Sequence, residues 1–221
     1  MSSSTEVITV AARGSLLSRK QVEEVYAELR CFHPDVMFEL LFVDTLGDGD
    51  QQISLRSLEK TDFFTREIDA LLLKSSCRAA IHSAKDLPEP LPQGLMIAAV
   101  TKGVDPSDVL VFRAGGHLDT LPSPAKIGSS SARRDAAVRK IVPHALYLDL
   151  RGTIESRLAQ LDAYKYDAIV MAEAALIRLG LCHRSRFRLP GSSAPLQGKL
   201  SVVIRETDWE MKQLFACLDA H

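Results

Sequence analysis

Short β-rich runs alternate with helical stretches along most of this 221-residue chain, and the alternation is interrupted twice. Val7 to Ala12, Met37 to Val43, Arg78 to Ile81 and Leu95 to Val100 read as strands. Helices are predicted between them over Leu16 to Leu29 and Phe63 to Ser75, the second with Phe64, Ile68, Leu71 and Leu72 on one face. A break with Gly103 and Pro106 follows. The pattern then restarts, with strands at Val109 to Phe112, Ala125 to Gly128, Ala145 to Leu148 and Asp167 to Met171. Helices at Ser131 to Val142, Thr153 to Tyr164 and Glu173 to Leu179 go with them. After a second break at Pro190 to Gly198, Lys199 to Ile204 reads as a strand and Asp208 to Leu218 as a helix. Such alternation implies α/β architecture, with largely parallel sheets covered on both faces. Two breaks imply two lobes: 1–103 plus 199–221, and 104–198. The last strand and helix are expected to return to the first lobe, leaving a hinged cleft.

Composition narrows the classes. The net charge of −1 gives no global field for nucleic acid or an anionic membrane, so any taste for anions must be local. No apolar run reaches the roughly 18 residues of a membrane span, and Met1 to Glu6 is polar, unlike a secretory leader. Cys31, Cys77, Cys182 and Cys217 are far apart and form no C-x-x-C pair. That argues against zinc and fits reduced thiols in a cytosol, each cysteine serving as a small buried hydrophobe. The chain is expected to be cytoplasmic and monomeric, with no nucleic-acid or membrane partner and no metal.

Two runs carry chemistry. In Ile81-His82-Ser83-Ala84-Lys85-Asp86-Leu87-Pro88, a strand ends at a polar cluster in which Lys85 adjoins Asp86. Ligands of open α/β sheets bind outside the carboxyl ends of strands. The plainer alternative is a turn in which Asp86 accepts from backbone N–H groups. In Lys126-Ile127-Gly128-Ser129-Ser130-Ser131-Ala132-Arg133-Arg134, a strand and glycine turn lead through serines into a helix. The serines suit capping. Ala136, Ala137, Val138 and Ile141 would line its apolar side. Arg133 and Arg134 fall in the first turn, where the macrodipole disfavours cations unless an anion is bound there. The alternative is a pair of solvated arginines.

Together the ordered motifs resemble the porphobilinogen deaminase (hydroxymethylbilane synthase) family over about Val7 to Arg205. Arg13-Gly14-Ser15 is similar to its basic first turn, Thr45-Leu46-Gly47-Asp48 to T-x-G-D, and Phe64-Thr65-Arg66-Glu67 to F-x-K-E. His82 to Pro88 matches H-S-x-K-D-x-P. Asp105-Pro106-Ser107-Asp108 matches D-P-R-D except at Ser107, and Gly128 to Arg134 matches G-T-S-S-x-R-R with Ser129 for threonine. Arg151-Gly152-Thr153 with Arg157, Tyr166-Asp167-Ala168-Ile169 and Arg178-Leu179-Gly180-Leu181 match further motifs. Ala194-Pro195-Leu196-Gln197-Gly198 is a looser match to P-G-Q-G-A.

The resemblance implies two lobes of the type II periplasmic-binding-protein kind. It implies a transferase of porphyrin and haem biosynthesis that expels ammonia from porphobilinogen and joins the resulting azafulvene units into hydroxymethylbilane. By similarity Asp86 gives and takes the proton at each round. Arg13, Arg133, Arg134, Arg151, Arg157 and Arg178 match positions that hold substrate or growing chain. Ser15, Lys85, Ser129, Ser131 and Gln197 join them as binding residues. The carboxylate-rich pyrroles suit planar guanidinium groups. Dipyrromethane is the implied cofactor, but no cysteine here matches its attachment motif, and the family's third, α+β domain would be absent. Lys60 stands one position out of register with the family's lysine, in a polar loop, Gln51 to Lys60, expected to be a mobile lid. The competing expectation is a non-catalytic or impaired relative that binds porphobilinogen or oligopyrroles.

Overall fold

The computed structural model describes residues 6–45, 47 and 61–220. The lid expected over Gln51 to Lys60, and Leu46 and Asp48 of the T-x-G-D match, lie outside them. The described chain divides into two compact units, one holding 6–45, 47, 61–103 and 199–220, the other 104–198.

The first unit is built on a five-stranded sheet in the order β2-β1-β3-β10-β4. Its strands are β1 (Glu6–Arg13), β2 (Val36–Val43), β3 (Ala79–Ser83), β4 (Leu95–Val100) and β10 (Leu200–Arg205). β1 pairs in parallel with β2 and β3, whereas β10 runs antiparallel to both β3 and β4. The sheet is therefore mixed rather than largely parallel. β10 arrives from the far end of the chain with no helical crossover from a neighbouring strand, so nothing forces it to run parallel. Alternation sorts the side chains. Ile8, Val10, Ala12, Ile81, Val202 and Ile204 bury one face against Val22, Val25 and Leu29 of α1 (Leu16–Arg30) and Phe215 of α6 (Trp209–Phe215). Ala11, Ala80 and Val203 bury the other against Ile68 and Leu72 of α2 (Arg66–Leu73). Each fully buried valine, leucine or isoleucine among them contributes about 1.5–3 kcal/mol. The single helix expected over Phe63 to Ser75 is split: a 3-10 turn covers Asp62–Phe64, and Thr65 breaks the spiral at φ −124°.

The second unit repeats the scheme in the order β7-β6-β8-β5-β9. It comprises β5 (Asp108–Phe112), β6 (Lys126–Ser129), β7 (Leu146–Asp149), β8 (Ala168–Ala172) and β9 (Arg186–Arg188). β6 lies parallel to β7 and β8, and β5 runs antiparallel to β8 and β9. α4 (Ile154–Asp162) and α5 (Glu173–Arg178) pack Leu158, Leu161 and Leu176 on one face, and α3 (Ala132–Arg139) packs Val138 on the other. On α3, Ala136 turns out to solvent instead of joining the apolar side, while Ala137 and Ile141 pack partly against the core.

Two of the cysteines depart from the expected buried role. Cys31 and Cys182 are exposed, whereas Cys77 is buried and desolvation pushes its thiol up to about 11. All four are free thiols.

Candidate active site

In the first unit, Arg13, Ser15, Lys85 and Asp86 lie at or just beyond the carboxyl ends of β1 and β3, where ligands of α/β sheets bind. The turn after β3 is pinned on both sides. Gln21, buried on α1, donates from Nε2 to Ser83 Oγ at 2.8 Å, and the N–H of Ala84 donates to the carbonyl of Lys199 at 3.0 Å. A 3-10 turn, Ala84–Asp86, then runs into buried Leu87. Asp86 is thereby presented half-buried on a held backbone. Among the described residues no group donates to its carboxylate, so the plain turn role, with Asp86 accepting backbone N–H groups, is not adopted. Arg13 stacks over the ring of Phe64 at 4.6 Å, an arrangement that fixes the plane of the guanidinium. Ser15 caps α1, its Oγ accepting from the N–H of Ser18 at 3.2 Å, so its hydroxyl already has a structural task.

His82 sits within β3, 5% exposed, with its Nε2 lacking a hydrogen-bond partner among the described residues. Desolvation first, and the charge of Arg13 second, push it down to about 4. The imidazole is therefore neutral where the unfolded chain would protonate it. Falling pH protonates the unfolded state from about 6.5 downward, so stability is lost as pH falls from there towards 4. The expected loss reaches about 2 kcal/mol by pH 5. Urea unfolding midpoints at pH 7 and pH 5 check this, and the difference should shrink in His82→Phe. An equal difference in that variant would assign the acid sensitivity to other groups.

In the second unit, Ser129, Ser131, Arg133, Arg134, Arg151, Arg157, Arg178 and Gln197 gather around the carboxyl ends of β6, β7 and β8 and the segment 197–198. A Cβ at Gly128 would meet Ile169 and Tyr166 at 3.0 Å, so glycine lets β6 lie close to β8 just before the serines. Ser129 is fully buried; its Oγ accepts from the N–H of Ser131 at 3.4 Å and donates to the Ser131 carbonyl at 3.3 Å. Ser131 stands at the N-cap of α3, but its side chain makes no capping bond, contrary to the capping expected of the serine cluster. Gly152, at φ +100°, turns the chain after β7, and its carbonyl accepts from Nε of Arg157 at 2.8 Å. Arg157 also reaches Ser130 Oγ at 3.5 Å, and Arg178 donates to the Gly198 carbonyl at 2.9 Å. Arg151 is half-buried, and its carbonyl accepts from Gln160 at 3.1 Å.

The first-turn arginines of α3 find their anion inside the protein. Asp108, at the start of β5, accepts from Arg133 Nη2 at 2.6 Å and from Arg134 Nε at 2.9 Å. Burial alone would raise the Asp108 carboxyl; Arg134 and then Arg133 outweigh it and hold it below its ordinary value. Gln197 Nε2 joins at 3.0 Å from Asp108 Oδ1 and donates to the Pro106 carbonyl at 2.6 Å. Asp105 shapes the approach, accepting from the Ser107 N–H at 2.7 Å. Sequence reasoning passed over Asp108 and Gln21 as site residues, although Asp108 closes the quoted Asp105-Pro106-Ser107-Asp108 motif. The arginines gathered in the second unit suit the binding of multiply charged carboxylates.

These features define an α/β protein with arginine-rich strand ends, a donor set of the kind that suits anionic ligands. The model of "Porphobilinogen deaminase, dipyromethane cofactor binding domain" matches residues 8–213. A "Probable porphobilinogen deaminase" from Chlamydia pneumoniae is 41% identical over 97% of this chain and 91% of its own length. The porphobilinogen deaminases of Synechococcus elongatus and Schizosaccharomyces pombe are 37% and 38% identical, over 70% and 68% of their lengths. The chain belongs to the porphobilinogen deaminase family. Among solved structures, the BvgS VFT2 domain of Bordetella pertussis, at a TM-score of 0.55 and 15% identity, covers 96% of this chain and the match spans 86% of that one. The OxyR2 regulatory domain of Vibrio vulnificus, at 0.56 and 13%, matches over 99% of this chain and 96% of its own. These likenesses speak to the fold: two α/β sheet units of the periplasmic-binding-protein kind.

Proposed function

We propose that this chain is a hydroxymethylbilane synthase-type transferase, joining porphobilinogen units with loss of ammonia into a linear tetrapyrrole for porphyrin and haem synthesis. The family match over residues 8–213 is the observation that supports this most. Asp86 is the proton-transfer group. When ammonia leaves porphobilinogen, the exocyclic carbon becomes cationic, and a carboxylate beside it stabilises that charge. After the new carbon–carbon bond forms, the pyrrole α-proton passes to the Asp86 carboxylate, which can deliver it to the next leaving amine. Arg13, Arg133, Arg151, Arg157 and Arg178 bind the acetate and propionate groups, with Ser15, Lys85, Ser129 and Ser131 assisting, while Arg134 and Gln197, predicted as direct contacts, act through Asp108. The same donor set fits a dipyrromethane, whose side chains are also carboxylates. Arg133, Arg151 and Arg157 would hold it, and when bound it supplies the free α-carbon that takes the first substrate unit. We read the protein as a monomer and as cytoplasmic, the latter in keeping with its four free thiols.

The test is direct. The purified protein is incubated with porphobilinogen while substrate loss, ammonia and uroporphyrin are followed. Substrate consumption with stoichiometric ammonia is expected. Tight porphobilinogen binding without ammonia release would instead mark a binding protein.

A further inference from the structure

Arg133 and Arg134 are adjacent in sequence but differ in what they offer a ligand. Arg134 has a side chain only 8% exposed, with both Nε and Nη2 on Asp108 Oδ1, at 2.9 and 2.7 Å. The Arg133 side chain is 32% exposed. It is held at two different nitrogens, Nη2 by Asp108 Oδ2 at 2.6 Å and Nη1 by the Ser192 carbonyl at 2.9 Å. Two anchors on one planar group fix its plane. A guanidinium has five N–H donors, so Arg133 keeps the rest of its fork for a ligand. Asp108 is itself held. Its side chain is 4% exposed, and Gln197, braced on the Pro106 carbonyl, donates to it at 3.0 Å.

We propose that Asp108 is a positioning residue for the reaction: it sets the Arg133 guanidinium in one orientation for a substrate carboxylate, with Arg134 and Gln197 fixing Asp108. This rests on the reading of Arg133 as a carboxylate contact. Two opposing effects make the proposal decidable. Asp108 cancels one of two positive charges, so removing its charge should strengthen anion binding if electrostatics alone mattered. It also spares a ligand the cost of ordering a long side chain, about 2 kcal/mol of rotamer freedom for an arginine. An arginine in the first turn of a helix, repelled by the macrodipole, would otherwise swing outward.

Steady-state consumption of porphobilinogen by the whole chain tests this in Asp108→Asn, Arg133→Ala and the double variant. Asp108→Asn is expected to raise KM about tenfold with a smaller change in kcat, the pattern of lost uniform binding. The double variant should show the KM of Arg133→Ala alone, because the two residues act as one unit. A KM that is unchanged or lowered in Asp108→Asn would overturn the proposal and leave Asp108 a counterion. So would a further rise of KM in the double variant. If Asp108→Asn does not fold, Asp108→Glu keeps the charge but displaces Arg133, and its KM should rise. Failure of both variants to fold would make the role structural and overturn the proposal. An unchanged KM in Arg133→Ala would instead sink the reading of Arg133 as a substrate contact, which distinguishes that failure from this one.

Discussion

Asp86→Asn is expected to lower the turnover of porphobilinogen by two to four orders of magnitude, the range of a lost general acid–base group. KM should change much less. The argument runs from the local structure. Asparagine has almost the shape of aspartate, and among the described residues no hydrogen bond is made to the Asp86 carboxylate, so none is lost. The backbone that presents residue 86 is held by others: Gln21 on Ser83, the Lys199 carbonyl on Ala84, and buried Leu87. Stability should therefore stay within about 0.5 kcal/mol of the parent, as for surface changes away from special features. In the proposed role of Asp86, the variant loses a proton acceptor and a negative charge beside the developing cation. Pre-steady-state and steady-state ammonia release, with a thermal melt as the control for folding, read the outcome. A turnover within tenfold of the parent, in a variant that melts normally, would exclude Asp86 as the proton-transfer group.

Local chemistry made much of this fold legible. The β-rich run Val7 to Ala12 and the polar stop after Ile81 announce strands whose ends carry Arg13 and Asp86, because a short apolar run rich in β-branched residues and bounded by polar turns is a local signal. α1 is equally readable over Leu16 to Leu29, whereas the capping role of Ser15, expected to bind substrate, emerges only in the structure. Legibility fails where the outcome depends on which strands become neighbours. β5 and β10 run antiparallel to their partners, and no local pattern encodes that direction. β9 has only three residues, too few to show a period. The break at Thr65 splits a stretch whose apolar spacing reads as one helix. The site divides in the same way. Arg133 and Arg134 announce themselves in a first turn that disfavours cations. Their partner Asp108 lies more than 20 residues away in sequence and reaches them only because β5 and β6 both flank β8. The anion inferred at that turn was real in kind, but a side chain of the protein already supplies it.

Arg134→Met is expected to cost about 3–5 kcal/mol of stability, the range for removing one partner of a buried ion pair. Methionine fills a similar volume and can lie against the same wall, so the loss is chiefly electrostatic. Asp108, with a side chain 4% exposed, would keep Arg133 and Gln197 but lose the partner that does most to offset its burial. In the parent, the carboxyl is held below its ordinary value. A depressed carboxyl stabilises the fold above its unfolded value of about 3.9, and that contribution disappears as pH falls through the lower folded value. In Arg134→Met, desolvation is opposed more weakly, so the Asp108 carboxyl rises and the variant's deficit is largest near neutral pH. The deficit should narrow towards pH 4, where a protonated Asp108 can be buried at less cost. Urea unfolding of the parent and the variant at pH 7, 5 and 4 gives both the size and the pH trend. A deficit below about 1 kcal/mol would put the Asp108–Arg134 pair with ordinary surface ion pairs. A large deficit that does not change with pH would trace the damage to packing rather than to an uncompensated charge.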